Sequence, residues 1–223
     1  MNPQTTSSKP RYPSRCWFVA TLMLLALLAV FGAPGRTVAQ SPPLSDLELL
    51  DRTQAQAAQY FFDQAPTNGF VRDRENWPDS SIAATGFGLA ALVVMAERYG
   101  SSPEWTVTEG QAEARAQHIL DNAVYYQEQQ ETNPSQYGKA GLLYHWVDEE
   151  GRRAPNSEVS TVDMAILLAG ALTAGQYFRG DVQTRADELF GNVDWSYFLA
   201  GNDRFHHALD DLPPRTLPHS MLV

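Results

Sequence analysis

Cysteine is almost missing: Cys16 is the only one among 223 residues, and it lies in a segment that reads as an export signal. The mature chain can therefore form no internal disulfide, so an exported protein of this kind needs a hydrophobic core to hold it. No His/Cys/carboxylate run has zinc-ligand spacing and no Gly-rich loop suggests a phosphate cradle, so no metal and no cofactor is expected. Basic residues are scarce, 16 Lys and Arg against 26 Asp and Glu, for a formal charge of −10. Residues 1–39 hold four basic residues and no acid, so their removal takes the charge to −14. That balance argues against nucleic acid or anionic lipid as a partner and suits a neutral ligand. A strict repeat of solenoid length is also missing.

The first 39 residues read as a signal peptide. Lys9, Arg11 and Arg15 give a basic start, and no acid precedes Ser45. An apolar run from Cys16 to Ala33 is broken by Pro34-Gly35, and Thr37-Val38-Ala39 offers a small residue for cleavage before Gln40. The run is also long enough to read as an uncleaved anchor. Both readings place the remainder outside the cytoplasm, periplasmic or secreted, and after cleavage no membrane association is expected. About 180 residues remain, enough for one domain.

Apolar periodicity predicts five helices of two alternating kinds. The first opens at Ser45 with a capping box to Glu48, carries Leu47, Leu50, Ala57 and Phe61 on one face, and ends near Ala65. The second, from about Ser81 to Tyr99, is apolar nearly all round. The third starts at Thr108-x-x-Gln111 and is amphipathic, with Ala112, Ala116, Ile119 and Ala123 opposite Glu113, Gln117 and Asp121. The fourth begins at Ser160 and is again almost wholly apolar from Met164 to Ala174, and a polar fifth covers about Thr184 to Gly191. A helix apolar on every side must be surrounded, whereas one with a single apolar stripe lies at the surface. The order is then outer, inner, outer, inner, outer, as in a double-layered ring of helical hairpins. Long links at Pro66–Ser80 and Glu131–Val159 lead into the inner helices, and the return links, about Gly100–Val107 and Gly180–Gln183, are shorter. Both long links thus fall at one end of the ring, where a rigid scaffold presents functional loops. The second contains a hairpin pattern: Leu142–Asp148, a turn at Glu149-Glu150-Gly151, and a return over Arg152–Ala154.

Candidate chemistry concentrates in those links. Glu158 stands just before the fourth helix and has no local duty, which makes it a candidate functional carboxylate. Asp163 lies in the first turn, and Ser160-x-x-Asp163 reads equally as a capping box or as a second site acid. A helix N-terminus favours the ionised carboxylate, so a general acid there needs burial or a neighbouring carboxylate to raise its pKa. In the first link, Asp73 between Arg72 and Arg74 reads either as part of a surface ion pair or as a carboxylate from a second loop on the same rim. Glycosidic cleavage uses two carboxyl groups that flank the scissile bond. Tyr144, His145 and Trp146, with Trp77 and Phe70, could face sugar rings, although aromatic residues more often fill cores. His145 reads as a hydrogen-bonding residue. Gly86 and Gly88 lie inside a helix and permit close packing.

From about Leu47 to Trp195 the chain resembles the glucoamylase-like domain proteins of bacteria, a group that includes endo-β-1,2-glucanases. Four blocks carry the resemblance in order: Asn68-Gly69-Phe70-Val71-Arg72-Asp73-Arg74, Ser81-Ile82-Ala83-Ala84-Thr85-Gly86-Phe87-Gly88-Leu89-Ala90, Leu143-Tyr144-His145-Trp146-Val147-Asp148, and Asn156-Ser157-Glu158-Val159-Ser160-Thr161-Val162-Asp163. The resemblance implies an all-α (α/α)6 toroid, action on a glucan such as a β-1,2-linked one, metal-free chemistry, and a general-acid role for Glu158. Asp73 falls in the region of another site acid, and Arg72, Arg74, Trp77, Tyr144, His145 and Trp146 are the candidate substrate contacts. After Asp194-Trp195 the pattern departs. Residues 196–223 concentrate Pro213, Pro214 and Pro218 with three of the five histidines and have no helical period, so a frameshifted, disordered tail is expected there.

The resulting expectation is the N-terminal part of a glucan-cleaving toroid over residues 40–195, an enzyme by descent. Two other readings stay open: a fragment without activity, and a carbohydrate-binding or helical scaffold protein that does not cleave. On the fragment reading the purified chain releases no reducing sugar.

Overall fold

The computed structural model describes residues 44–200 and 204–209, so the expected signal peptide lies outside the described residues. Among the described residues six helices form: α1 (Asp46–Asp63), α2 (Ile82–Arg98), α3 (Glu109–Gln129), α4 (Pro134–Tyr137), α5 (Thr161–Phe178) and α6 (Gly180–Gly191). Among the described residues no helix is long and apolar enough to cross a membrane. The capping boxes expected at Ser45/Glu48 and Thr108/Gln111 are both made. Single serine caps start the two apolar helices, Ser81 accepting from the Ala84 amide and Ser160 from the Asp163 amide.

The fold is a partial α/α toroid. Helices α2 and α5 make the most extensive contact in the molecule, while α1, α3 and α6 pack outside them. Glycine sets the closeness of the inner pair: a Cβ at Gly86 would meet the Ile166 carbonyl, and one at Gly170 would meet the Gly86 carbonyl. Without side chains at the crossing, the two backbones approach where any other residue would hold them apart. Leu89, Leu92, Met164, Leu167 and Leu168 bury around that crossing, with Ile119, Leu120 and Leu189 from the outer helices. Asp51 of α1 ties the layers at the far end, accepting from Arg98, from Ser102 Oγ at 2.5 Å and from Trp105 Nε1 at 2.9 Å.

Three expectations change. The apolar helices are not enclosed on every side among the described residues: Phe87 and Val94 on α2, and Val162, Ala165 and Ala169 on α5, remain exposed along helical stripes. The outer helices cover only the sides that face them. The link expected over Gly180–Gln183 is shorter, because Arg179 (φ 64°) and Gly180 (φ 53°) reverse the chain in left-handed conformation and α6 starts at once. The second long link also holds the one-turn helix α4, opened by Pro134 at its first position, too short for periodicity to reveal.

The strands are two-residue pieces. β1 (Ser80–Ser81) pairs antiparallel with β2 (Trp146–Val147), and the expected hairpin persists as a Val147–Arg153 bridge, closed by Gly151 at φ 74°. β3 (Val159–Ser160) lies directly before α5. Beyond a 3-10 turn at Trp195–Phe198, β4 (Leu199–Ala200) pairs with β5 (Arg204–Phe205), and β6 (Ala208–Leu209) pairs with β3. Most of the tail expected to be disordered, residues 201–203 and 210–223, lies outside the described residues. At the described positions the order comes from backbone pairing, which a two-residue ladder leaves invisible in the side-chain pattern.

Candidate functional site

Backbone hydrogen bonds stitch both long links to the N-terminal ends of α2 and α5. The Ser81 amide donates to the Val71 carbonyl at 2.9 Å, the Ile82 amide to the His145 carbonyl at 3.1 Å, and the His145 amide to the Glu158 carbonyl at 2.8 Å. The Val71 amide reaches Thr85 Oγ1 at 2.9 Å, fastening the first link to the first turn of α2. These bonds satisfy polar groups at the helix starts, and they set four separated parts of the sequence side by side.

His145 is the hub. Its Nδ1 lies 3.0 Å from Glu158 Oε1 and 3.5 Å from Asp163 Oδ2. With acceptors on both sides, Nδ1 carries the proton. The ring stacks on Trp146 with centroids 3.9 Å apart and planes 17° from parallel, which holds its direction. All three side chains are part-buried, at 20% exposure for His145, 27% for Glu158 and 15% for Asp163, so water screens their charges incompletely. Burial opposes charge on His145, yet the Glu158 hydrogen bond and the Asp163, Glu158 and Asp73 charges outweigh it and raise the imidazole pKa. The same hydrogen bond draws the Glu158 carboxyl below its ordinary value against its own desolvation, helped by the charges of His145 and His207. The hydrogen bond to His145 thus favours the ionised form of Glu158.

Asp163 resolves its two readings in part. Its amide donates to Ser160 Oγ at 3.4 Å, but the reciprocal half of a capping box is not made, and its carboxylate faces His145. A cavity of about 450 Å³ joins His145 and Asp163 to Asp73, Arg74 and Glu75 of the first link. Tyr60 and Phe61 of α1 and Phe87 of α2 line its other side. This is an ordinary size for a small-ligand site. His145, Glu158 and Asp163 also bring ligand-type atoms within 4.8 Å of one another, the one such trio among the described residues, but Nδ1 is already engaged by Glu158.

The remaining expected residues divide. Arg74 borders the cavity, pairs with Asp73 at 3.6 Å and covers Trp77 at 4.3 Å, so the ion-pair reading of Asp73 holds beside its place in the cavity. Arg72 reaches Glu149 at 3.4 Å and ties one long link to the other. Trp146 supports the His145 ring from one face. Tyr144 and Phe70 are corrected: both are fully buried, Phe70 edge-on to Tyr126 at 5.6 Å and Tyr144 under the Arg153 guanidinium at 4.6 Å, so neither can face a sugar. Side chains alternate along an extended segment, and His145 outward places Tyr144 inward. The residues missed from sequence are Tyr60, Phe61, Glu75 and Phe87. Only Glu75, two positions from Asp73, carried a signal; Phe87 was hidden inside an apolar helix.

Comparison by sequence matches the chain to no family model and to no curated protein. Comparison by structure does find likenesses. A candidate glucoamylase from Bacteroides uniformis superimposes with a TM-score of 0.64 at 26% identity, over 77% of this chain and 42% of that one. A β-1,2-glucanase from Parabacteroides distasonis gives 0.61 at 22% identity, over 76% of this chain and 24% of its own. A candidate glucoamylase from Bacteroides fragilis gives 0.57 at 19% identity, with coverages of 78% and 42%. The chain therefore spans less than half the length of these structures. It resembles the glucoamylase-like and β-1,2-glucanase structures and matches only part of each.

Proposed function

We propose that the described residues form one wall of a glycan-cleaving site that acts on a glucan by carboxylate acid–base chemistry. The observation that carries the reading is the convergence of Asp73, His145 and Asp163 on one cavity, with Glu158 fixed to His145, at the shared end of the two inner helices. Hydrolysis of an acetal needs a proton for the leaving oxygen and a base or nucleophile at the anomeric carbon. On this reading Glu158 supplies the first, and Asp73, a carboxylate from the other long link that borders the cavity, supplies the second. Phe87 and Trp77, both exposed, offer apolar faces to sugar rings. The β-1,2-linked class is the first to test, because one similar structure is named for it.

A second reading has its own support. An ionised Glu158, paired with imidazolium, accepts hydrogen bonds from sugar hydroxyls without donating a proton, which suits binding without cleavage. The purified chain incubated with β-1,2-glucan, with reducing ends measured, separates the two. Turnover that falls by at least 10²-fold, the usual scale of acid–base assistance, in Glu158→Gln supports the hydrolase. Turnover that survives that substitution removes Glu158 from the chemistry, and saturable binding without turnover supports the second reading.

A further inference from the structure

Glycoside cleavage needs a protonated group beside the leaving oxygen, yet Glu158 is drawn towards its ionised form. The proton is not missing from the site. It sits one bond away, on His145 Nδ1, 3.0 Å from Glu158 Oε1. The imidazole is held there by the stack on Trp146 and by backbone bonds on both sides, its amide to Glu158 at 2.8 Å and its carbonyl from Ile82 at 3.1 Å. The charged and titratable groups around it come from every neighbouring element. Glu158 precedes β3 and Asp163 is on α5; Asp73, Arg74 and Glu75 come from the first link, Tyr60 from α1, and His207 acts on Glu158 from the segment beside β6.

We propose that His145 and Glu158 work as one proton-carrying pair, in which His145 is a positioning residue that fixes the carboxylate and stores the proton it delivers. This rests on the hydrolase reading above. In the step, the Nδ1–H bond of the imidazolium breaks, leaving the neutral ring protonated on Nε2, and the proton passes to Glu158 Oε1. Glu158 hands it to the glycosidic oxygen as the bond from that oxygen to the anomeric carbon breaks, and the departing sugar leaves as an alcohol. Water adds to the anomeric carbon and loses its proton to a second carboxylate, taken here as Asp73; Asp73 then releases that proton to solvent, and solvent returns one to the imidazole. Two strongly interacting groups titrate as a pair. The pair keeps its proton until the imidazole gives it up, so the alkaline limit of hydrolysis belongs to His145 and not to an ordinary carboxylic acid.

The test is an NMR titration of the His145 ring in the full chain, in wild type, Glu158→Gln and Asp163→Asn, with circular dichroism to check each fold. A wild-type midpoint above the ordinary 6.5 that drops by about one unit in Glu158→Gln, a tenfold change in proton affinity, supports the pair. Should Glu158→Gln fail to fold, Glu158→Asp replaces it, and a midpoint lowered by the shorter side chain is the supporting result. An unmoved midpoint in a folded variant overturns the proposal. Kinetics separates it from the reading beneath it. His145→Asn keeps a donor near Nδ1 but stores no proton, so KM stays while the rate falls about tenfold for each pH unit above the displaced alkaline limb. An unchanged limb in His145→Asn, with hydrolysis lost in Glu158→Gln, overturns the proton store and leaves the hydrolase reading standing. Hydrolysis undiminished in Glu158→Gln overturns both.

Discussion

A histidine held between two carboxylates makes stability depend on pH in two directions. The folded imidazole titrates above its ordinary 6.5, so its contribution is complete below that value and fades as pH rises through the raised one. The folded Glu158 carboxyl titrates below its ordinary 4.5, so its contribution is complete above that value and fades as pH falls through the lowered one. Both operate between pH 4.5 and 6.5. We therefore expect the urea midpoint of wild type to exceed that of His145→Ala most within this window, with the gap narrowing on either side; a gap independent of pH would contradict the ion pair. Glu158 stood out in the sequence because no helix cap or other local duty accounted for it. Its partner was not: His145 and Glu158 are 13 residues apart and meet only because the intervening hairpin folds back. Tyr144 was misread for a related reason, since only pairing with the neighbouring strands decides which of two successive aromatic residues points into the core.

The elements were more legible than the site, because helix periodicity and Ser/Thr caps are local. Four of the five expected helices start within a residue of their predicted starts, at Ser45, Ser81, Thr108 and Ser160. The fifth began earlier than expected, because its start is a left-handed reversal at Arg179 and Gly180 and not a side-chain cap. What sequence shows least is the distance between helices, and here glycine decides it. Gly170→Ala would push a methyl group into the Gly86 carbonyl at the α2–α5 crossing, and overpacking of this kind costs about 1–3 kcal/mol. Gly110→Ala, near the start of α3, meets nothing within 4 Å and should be neutral or stabilise by about 0.4–1 kcal/mol. Urea denaturation of the two variants checks the contrast. Equal tolerance at both positions would mean that the inner helices do not cross as closely as described.

On the scale of the whole molecule, the chain shows apolar surface on helices that its own outer layer leaves partly uncovered. Phe87 is 57% exposed, Val94 46% and Val162 44%. Val162 and Ala165 also line an apolar groove of about 710 Å³ with Trp195 and Phe205. Exposed patches of this sort bind hydrophobic dyes and promote association. We expect the purified chain to enhance the fluorescence of an anilinonaphthalene dye, and Val94→Ser with Val162→Ser to reduce that signal without loss of helix by circular dichroism. No enhancement in the wild type would show these stripes to be covered in solution. The site stands at the end of the same two helices, and the account depends on a sugar ligand meeting the carboxylates of both long links together. The most direct measurement is a titration of the isotope-labelled chain with β-1,2-linked gluco-oligosaccharide, followed by NMR. The account predicts saturable shifts that cluster at Asp73, His145, Glu158 and Asp163 at once. Shifts confined to one link, or saturable binding that leaves all four unmoved, would contradict it.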